Sequence, residues 1–288
     1  MSNSLENQPK TISRLDGSIC RWHDLRKSLL FAELSKIAYC GPEQALELIQ
    51  EIGFTHSEFI EADGAQAYIF SNNTDCVLAF RGTEPQQWND IRADIRAWPV
   101  IAETVGRVHR GFKQEIDDLW PMLENKLLSN KKELWLCGHS LGAAMATICS
   151  SRCAFSEINS ETLELFTYGS PRVGTKKYVN HCSIAYKRWV NNNDIVARSP
   201  PTWLGYRHMG SEIYLNAYGK VRKMTALQRT KDRMRGLIMG LKKGSIDYFS
   251  DHSINAYIEN IHQAYLESLE TSTDINADAH ADSDGKIA

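Results

Sequence analysis

The stretch from 133 to 146, ELWLCGHSLGAAMA, constrains the fold more than any other part of the chain. An apolar run, Leu134-Trp135-Leu136-Cys137, passes without a break into Gly138-His139-Ser140-Leu141-Gly142. Small residues with good helix propensity, Ala143, Ala144 and Ala146, follow at once. The pattern reads as a strand, a sharp turn and a helix, with a serine at the apex in the Gly-x-Ser-x-Gly spacing of a nucleophile elbow. A side chain two residues before or after that serine would collide with the neighbouring strand or helix, so both positions call for glycine. The helix that opens after Ser140 aims its first N–H groups and its positive dipole end at any negative charge that forms there.

The rest of the chain supplies a sheet for this unit. Leu25, Leu29, Leu30, Leu34 and Ile37 recur at helical spacing, Gly41-Pro42 ends that helix, and 45–52 makes another. Three strand-like pieces follow, 57–60, 67–70 and 76–80, joined by turn signals at Asp63-Gly64 and Ser71-Asn72-Asn73. They imply an antiparallel edge. Further on, a helix over 109–129 is interrupted at Pro121. After the elbow come strands at 163–168, 185–190 and 212–215, a short helix to about 182 and a last helix over 253–269. Strands alternating with helices imply parallel βαβ units with helices on both faces. The fold class is α/β, a mostly parallel central sheet with an antiparallel edge, which is the architecture of an α/β hydrolase.

Two segments stand apart. Residues 84–105 are too long for a tight connection and fit no strand; Trp88 and Trp98 among alternating charges suggest a lid over the site. In 220–243, lysines and arginines interleave with Met, Leu and Ile, and Asp232 is the single acid. The expected organisation is a poorly ordered leader over 1–19, one hydrolase domain over 20–270 and a disordered acidic tail over 271–288.

Composition excludes some roles. With 33 basic and 35 acidic residues the formal charge is -2, which argues against a nucleic-acid partner for the whole molecule. No apolar run is long enough to span a bilayer, and MSNSLENQPKTISR lacks the apolar core of a secretory leader. The seven cysteines sit mostly in apolar segments without zinc-type spacing and read as reduced, buried thiols. The expected location is therefore cytoplasmic or peripheral to a membrane, with export by a signal-independent route left open. No metal and no organic cofactor is expected.

A serine hydroxyl is a weak nucleophile at neutral pH and needs a base, which in turn needs a carboxylate to orient it. In this kind of fold the chain order is Ser, then Asp or Glu, then His. Asp194 lies on a loop just past the strand at 185–190, where such an acid belongs. His208 and His252 both fall in loops after it, and His252, at a helix start, is favoured as the base. His139 points the wrong way, His109 lies upstream and reads as structural, and His262 sits inside a helix. A tetrahedral intermediate needs N–H donors. The backbone of Leu141 and of Thr83, in the loop after the third strand, are the candidates.

With these residues in place, the chain resembles the class 3 lipases. The matching pieces are AFRGTE at 79–84, VHRGF at 108–112, GHSLGAAMA at 138–146, TYGSPRVG at 167–174, RWVNNNDIVARSPP at 188–201, YRHMGSEIY at 206–214 and DHSINAYI at 251–258. The resemblance implies Ser140 as nucleophile, Asp194 as acid, His252 as base, Thr83 and Leu141 as oxyanion donors, and 84–105 as a movable lid. It implies a serine carboxylester hydrolase acting on lipid or ester substrates, foremost a triacylglycerol lipase. A phospholipase A1, a feruloyl or aryl esterase, and a lipid-binding module with a silent site are the alternatives. The block at 220–243 has no counterpart in the resemblance and is expected either to cover the core or to contact a lipid interface or anionic membrane.

Overall fold

The computed structural model describes residues 11–82, 98–156, 158, 162–242 and 250–284. Helix α1 (Asp24–Ile37) starts where the His23 ring accepts from the Leu25 N–H, and α2 (Pro42–Ile52) starts with proline at its first position and stops at Gly53, which adopts a left-handed conformation. Strands β1 (His56–Ala62), β2 (Ala65–Ser71) and β3 (Asp75–Phe80) form an antiparallel meander. β4 (Pro99–Ile101) and β5 (Arg107–His109) pair as a hairpin, and α3 (Arg110–Leu128) carries Pro121 in its interior. Then come β6 (Glu133–His139), α4 (Leu141–Cys153), β7 (Thr162–Tyr168), β8 (Gly174–Thr175), α5 (Lys176–Val179) and β9 (Tyr186–Asn191). β10 (Tyr206–Arg207), β11 (Ser211–Leu215), α6 (Ala226–Lys242) and α7 (Ile254–Asp284) complete the chain.

Seven strands form the main sheet in the order β1-β2-β3-β6-β7-β9-β11, parallel from β3 onward. The elbow strand β6 is therefore central. Both faces are covered, which is why its strands are apolar at consecutive positions. Cys76, Leu78, Phe80, Leu134 and Leu136 enter the layer beneath α3 and α4. Val77, Ala79, Trp135 and Cys137, alternating with them, enter the layer beneath α1 and α7, where the Phe31 ring stacks 4.3 Å from that of Phe166. A second, small sheet runs β10-β8-β5-β4. It lies in connections that leave the C-terminal ends of the main strands, so it sits on the side of the elbow. All seven cysteines are free thiols, five of them buried.

Three expectations change here. Residues 11–19 are not a loose leader. Buried Glu33 accepts from the N–H of Ser13 at 2.9 Å and from that of Ile12, the Leu15 N–H donates to Ile52 O at 2.7 Å, and Ile19 is fully buried. Strand pairing reaches into the segment expected to have none, because Pro99–Ile101 finds β5 as a partner. Helical backbone also continues past 271 to Asp284, since neither proline nor glycine interrupts the chain before Gly285. Most of 84–105, with Thr83 and Trp88, lies outside the described residues, as does Lys243 at the end of the basic block.

Candidate active site

At the end of β6 the backbone of Ser140 takes φ 60 and ψ −126, one of two positive φ values among described non-glycine residues. Such a conformation costs on the order of 1–3 kcal/mol and persists only where the surroundings enforce it. They do so by close approach. A Cβ on Gly138 would lie 2.7 Å from Ala143 N, and one on Gly142 would lie 2.8 Å from the Phe80 carbonyl carbon. The Ser140 N–H donates to Tyr168 O at 3.0 Å, locking the turn to β7. Its hydroxyl is buried and makes no hydrogen bond to any described residue. Leu141 opens α4, so its N–H belongs to the first-turn donors that have no acceptor within a helix. The chain leaving β3 presses against this turn, with a Cβ on Gly82 coming 2.6 Å from His139 O and 3.3 Å from Ser140 Cβ.

Asp194 follows β9 and is fully buried. Its Oδ1 accepts from the N–H of Val196 at 2.9 Å and of Ala197 at 3.3 Å, capping a short 3-10 turn. Its Oδ2 accepts from His252 Nδ1 at 2.8 Å and from the Tyr257 hydroxyl at 2.7 Å. With Nδ1 donating, the neutral imidazole keeps its lone pair on Nε2, the nitrogen that can take a proton. His252 is buried in the turn just before α7. Gly169, at the end of β7, makes room for the pair. Its φ is 62, and a Cβ there would lie 2.6 Å from Asp194 Oδ2 and 2.7 Å from His252 Nδ1. Because Tyr168 holds the serine turn and Gly169 faces the acid and the base, one strand end links all three candidates.

The second tier of contacts is as well defined. Tyr257, fully buried in the first turn of α7, accepts from the Asn191 N–H at 2.9 Å while donating to Asp194. Burial, with the negative charge of Asp194 beside it, holds its hydroxyl well above the usual phenol range and so keeps it a donor. His139 bridges two distant segments. Burial, then the neighbouring His252, keep its pKa well below the usual imidazole value. A neutral ring has one donor, which goes from Nε2 to His252 O at 2.7 Å, so Nδ1 accepts from the Tyr39 hydroxyl at 2.9 Å. Asp251, whose carboxyl is raised by burial, accepts from the Asn193 N–H at 3.1 Å and so holds the loop of Asp194.

The runner-up histidine is committed elsewhere. His208 Nε2 donates to Ala197 O at 2.7 Å, and burial together with Arg188 and Arg172 keeps it neutral. His109 is buried with its ring stacked 4.0 Å from Phe112. Trp98, the describable half of the lid candidates, is 75% exposed. The sequence reading misses Gly169, Tyr257, Tyr39 and Asp251. A glycine directly past a strand that ends beside the elbow was the available signal for Gly169. Tyr257 looks like any aromatic residue on the apolar side of a helix. Among the described residues no group of His, Cys, Asp and Glu could hold a metal ion.

A nucleophile turn on the middle strand of a mostly parallel sheet, with an acid and a histidine arriving from later loops, defines an α/β hydrolase. The class 3 lipase family model matches residues 77–203. The lipase of Rhizomucor miehei is 28% identical over 215 residues, 69% of this chain and 57% of its own. A solved structure of the Rhizomucor miehei triacylglyceride lipase superposes with a TM-score of 0.57 at 23% identity, covering 66% of this chain and 80% of that one. The secreted mono- and diacylglycerol lipase 1 of Fusarium solani is 32% identical over 218 residues, 67% of this chain and 64% of its own. The toxin TseL of Vibrio cholerae is 30% identical over 213 residues, 58% of this chain and 33% of its own. Residues 77–203 match the class 3 lipase family, and the fungal relatives extend the similarity to about two thirds of the chain. It spans between about a third and two thirds of the length of these curated relatives.

One expectation is overturned by the relatives. A cytoplasmic or peripheral-membrane location does not hold, because the Fusarium solani relative is a secreted enzyme by name. Free, buried thiols are equally compatible with an exported chain whose core is large enough to need no disulfide.

Proposed function

We propose that the chain is a serine carboxylester hydrolase that cleaves fatty-acid esters of glycerol through an acyl-enzyme on Ser140. The observation that carries this reading is the buried Asp194 carboxylate, which accepts four hydrogen bonds, one of them from His252, beside a serine in a strained turn. In this mechanism Ser140 attacks the ester carbonyl and His252 Nε2 takes its proton, then passes it to the leaving alcohol. Asp194 fixes the ring and stabilises the imidazolium. The N–H of Leu141 and the backbone of Thr83 hold the oxyanion; each such donor is worth roughly 3–4 kcal/mol in the barrier. Water then releases the fatty acid.

The family supports a glycerolipid substrate, and the Rhizomucor miehei and Fusarium solani names favour tri-, di- or monoacylglycerols. The segment 84–105 acts in this reading as a lid that opens at a lipid interface, in keeping with the exposed Trp98 just before β4. A fluorophosphonate probe tests the nucleophile: rapid labelling lost in Ser140→Ala is expected, and labelling that survives the substitution refutes it. A panel of glycerides below and above their solubility limit tests the substrate and the lid, with a rate jump at the limit expected and a flat profile excluding the lid.

A further inference from the structure

We propose that the outer face of α6 makes reversible contact with anionic phospholipid bilayers, as a surface the protein meets and not as its place of residence, and brings the side of the sheet that carries the Asp194 loop to the membrane. The inner side of α6 is tightly seated. Asp232, buried, accepts from the Tyr214 hydroxyl at 3.1 Å and from the Ala217 N–H at 3.0 Å. Asn193 Nδ2 donates to Arg233 O at 3.2 Å, and Gly236 packs so closely that a Cβ would lie 2.8 Å from Asn193 Nδ2. Asn193 adjoins Asp194, so the helix rests on the acid's own loop.

The outer side is the reverse. Leu227, Met234 and Ile238 are 67%, 55% and 48% exposed, and Lys231 and Arg235 are exposed among them. These positions follow one helical stripe. The single acid of residues 220–243 is Asp232, and it faces inward, so α6 offers no negative charge to a partner. Arg235 lies 3.8 Å from Asp232 and 5.8 Å from the Tyr218 ring, yet its side chain stays 55% exposed. Cations with long apolar side chains between them match one kind of surface, anionic outside with hydrocarbon just beneath. A water-facing helix gains nothing from three apolar side chains in one line.

The proposal takes its purpose from the ester-hydrolase reading, but the binding itself needs no turnover. It is therefore measured on the full chain bearing Ser140→Ala, by co-sedimentation with vesicles of phosphatidylcholine alone and of phosphatidylcholine with phosphatidylglycerol. Binding at least about tenfold tighter to the anionic vesicles is expected, weakening as salt rises. Lys231→Glu with Arg235→Glu removes that preference, and Leu227→Gln with Ile238→Gln weakens binding at all salt concentrations, both with an unchanged circular dichroism spectrum. Equal binding to neutral vesicles, or indifference to the charge reversal, overturns the proposal. So does a concentration-dependent dimer that Ile238→Gln dissolves, which assigns the face to a second copy. Fluorophosphonate labelling of the Ser140 protein is read separately, so loss of labelling with intact lipid binding sinks only the catalytic reading.

Discussion

Asp194 is enclosed on every side: two backbone N–H groups, a phenol and an imidazole fill its oxygens, and Gly169 leaves no room for even one more carbon. α6 touches the same loop at Asn193 but is fixed only along its inner side, while Leu227 and Met234 stand in solvent. One region is over-determined and the other half-determined. Chemistry that tolerates small displacements poorly is built where every lone pair has a fixed donor. Contact with a fluid, variable surface suits a face whose side chains remain free to adapt.

Substitutions can break this contrast. The largest effect is expected for Ser140→Ala, with hydrolysis down by at least about 10⁴-fold and a thermal midpoint unchanged or raised, since the buried hydroxyl has no partner among the described residues. Steady-state rates and a melt together check it. Gly169→Ala comes next. The added methyl must displace the Asp194–His252 pair and occupy a left-handed backbone position, so a loss of roughly 10²-fold in kcat is expected. A rate within threefold of the parent would mean that the turn relaxes freely. Tyr257→Phe removes a donor to Asp194 and leaves the Asn191 N–H without its acceptor. It should cost about 1–3 kcal/mol of stability, measured by urea unfolding.

Acid is a further probe of the enclosed side. His139 and His208 are held neutral in the folded protein, well below the imidazole value they regain on unfolding. The unfolded chain therefore binds more protons once the pH falls below about 6.5, and stability drops by up to about 1.4 kcal/mol per pH unit for each histidine. Urea midpoints from pH 7.5 to 5.5 should show this slope, and His208→Gln should flatten it. The smallest effect belongs to the open side. Leu227→Gln, exposed on α6, should shift stability by less than about 0.5 kcal/mol.

Much of this was legible in the residues. The elbow declares itself because its glycines, apolar strand and small-residue helix are local, and the parallel strands because continuous apolar runs mark a sheet covered on both faces. Chain order together with loop position narrowed the acid to Asp194 and the base to His208 or His252. Other features depend on partners far away in sequence. β8 and β10 have two residues each and no period to read. Glu33 orders residues 12 and 13 from a helix about 20 residues on, and Tyr257 is distinguished from a core aromatic only by where its hydroxyl ends. Location failed for another reason: the compartment in which a chain works leaves no imprint on how its core packs.

The bridge made by His139 sets a sequence of events for a growing chain. Its two ring nitrogens join Tyr39 to His252, residues 213 apart, through the turn that bears the serine. A ribosome that has delivered residues 1–200 has made the elbow and the acid's loop, but neither the imidazole nor the tyrosine that clamps the carboxylate. In the proposed mechanism reactivity therefore switches on only with the docking of α7, after the sheet has been laid down, and a growing chain has no base until residues 250–257 have emerged.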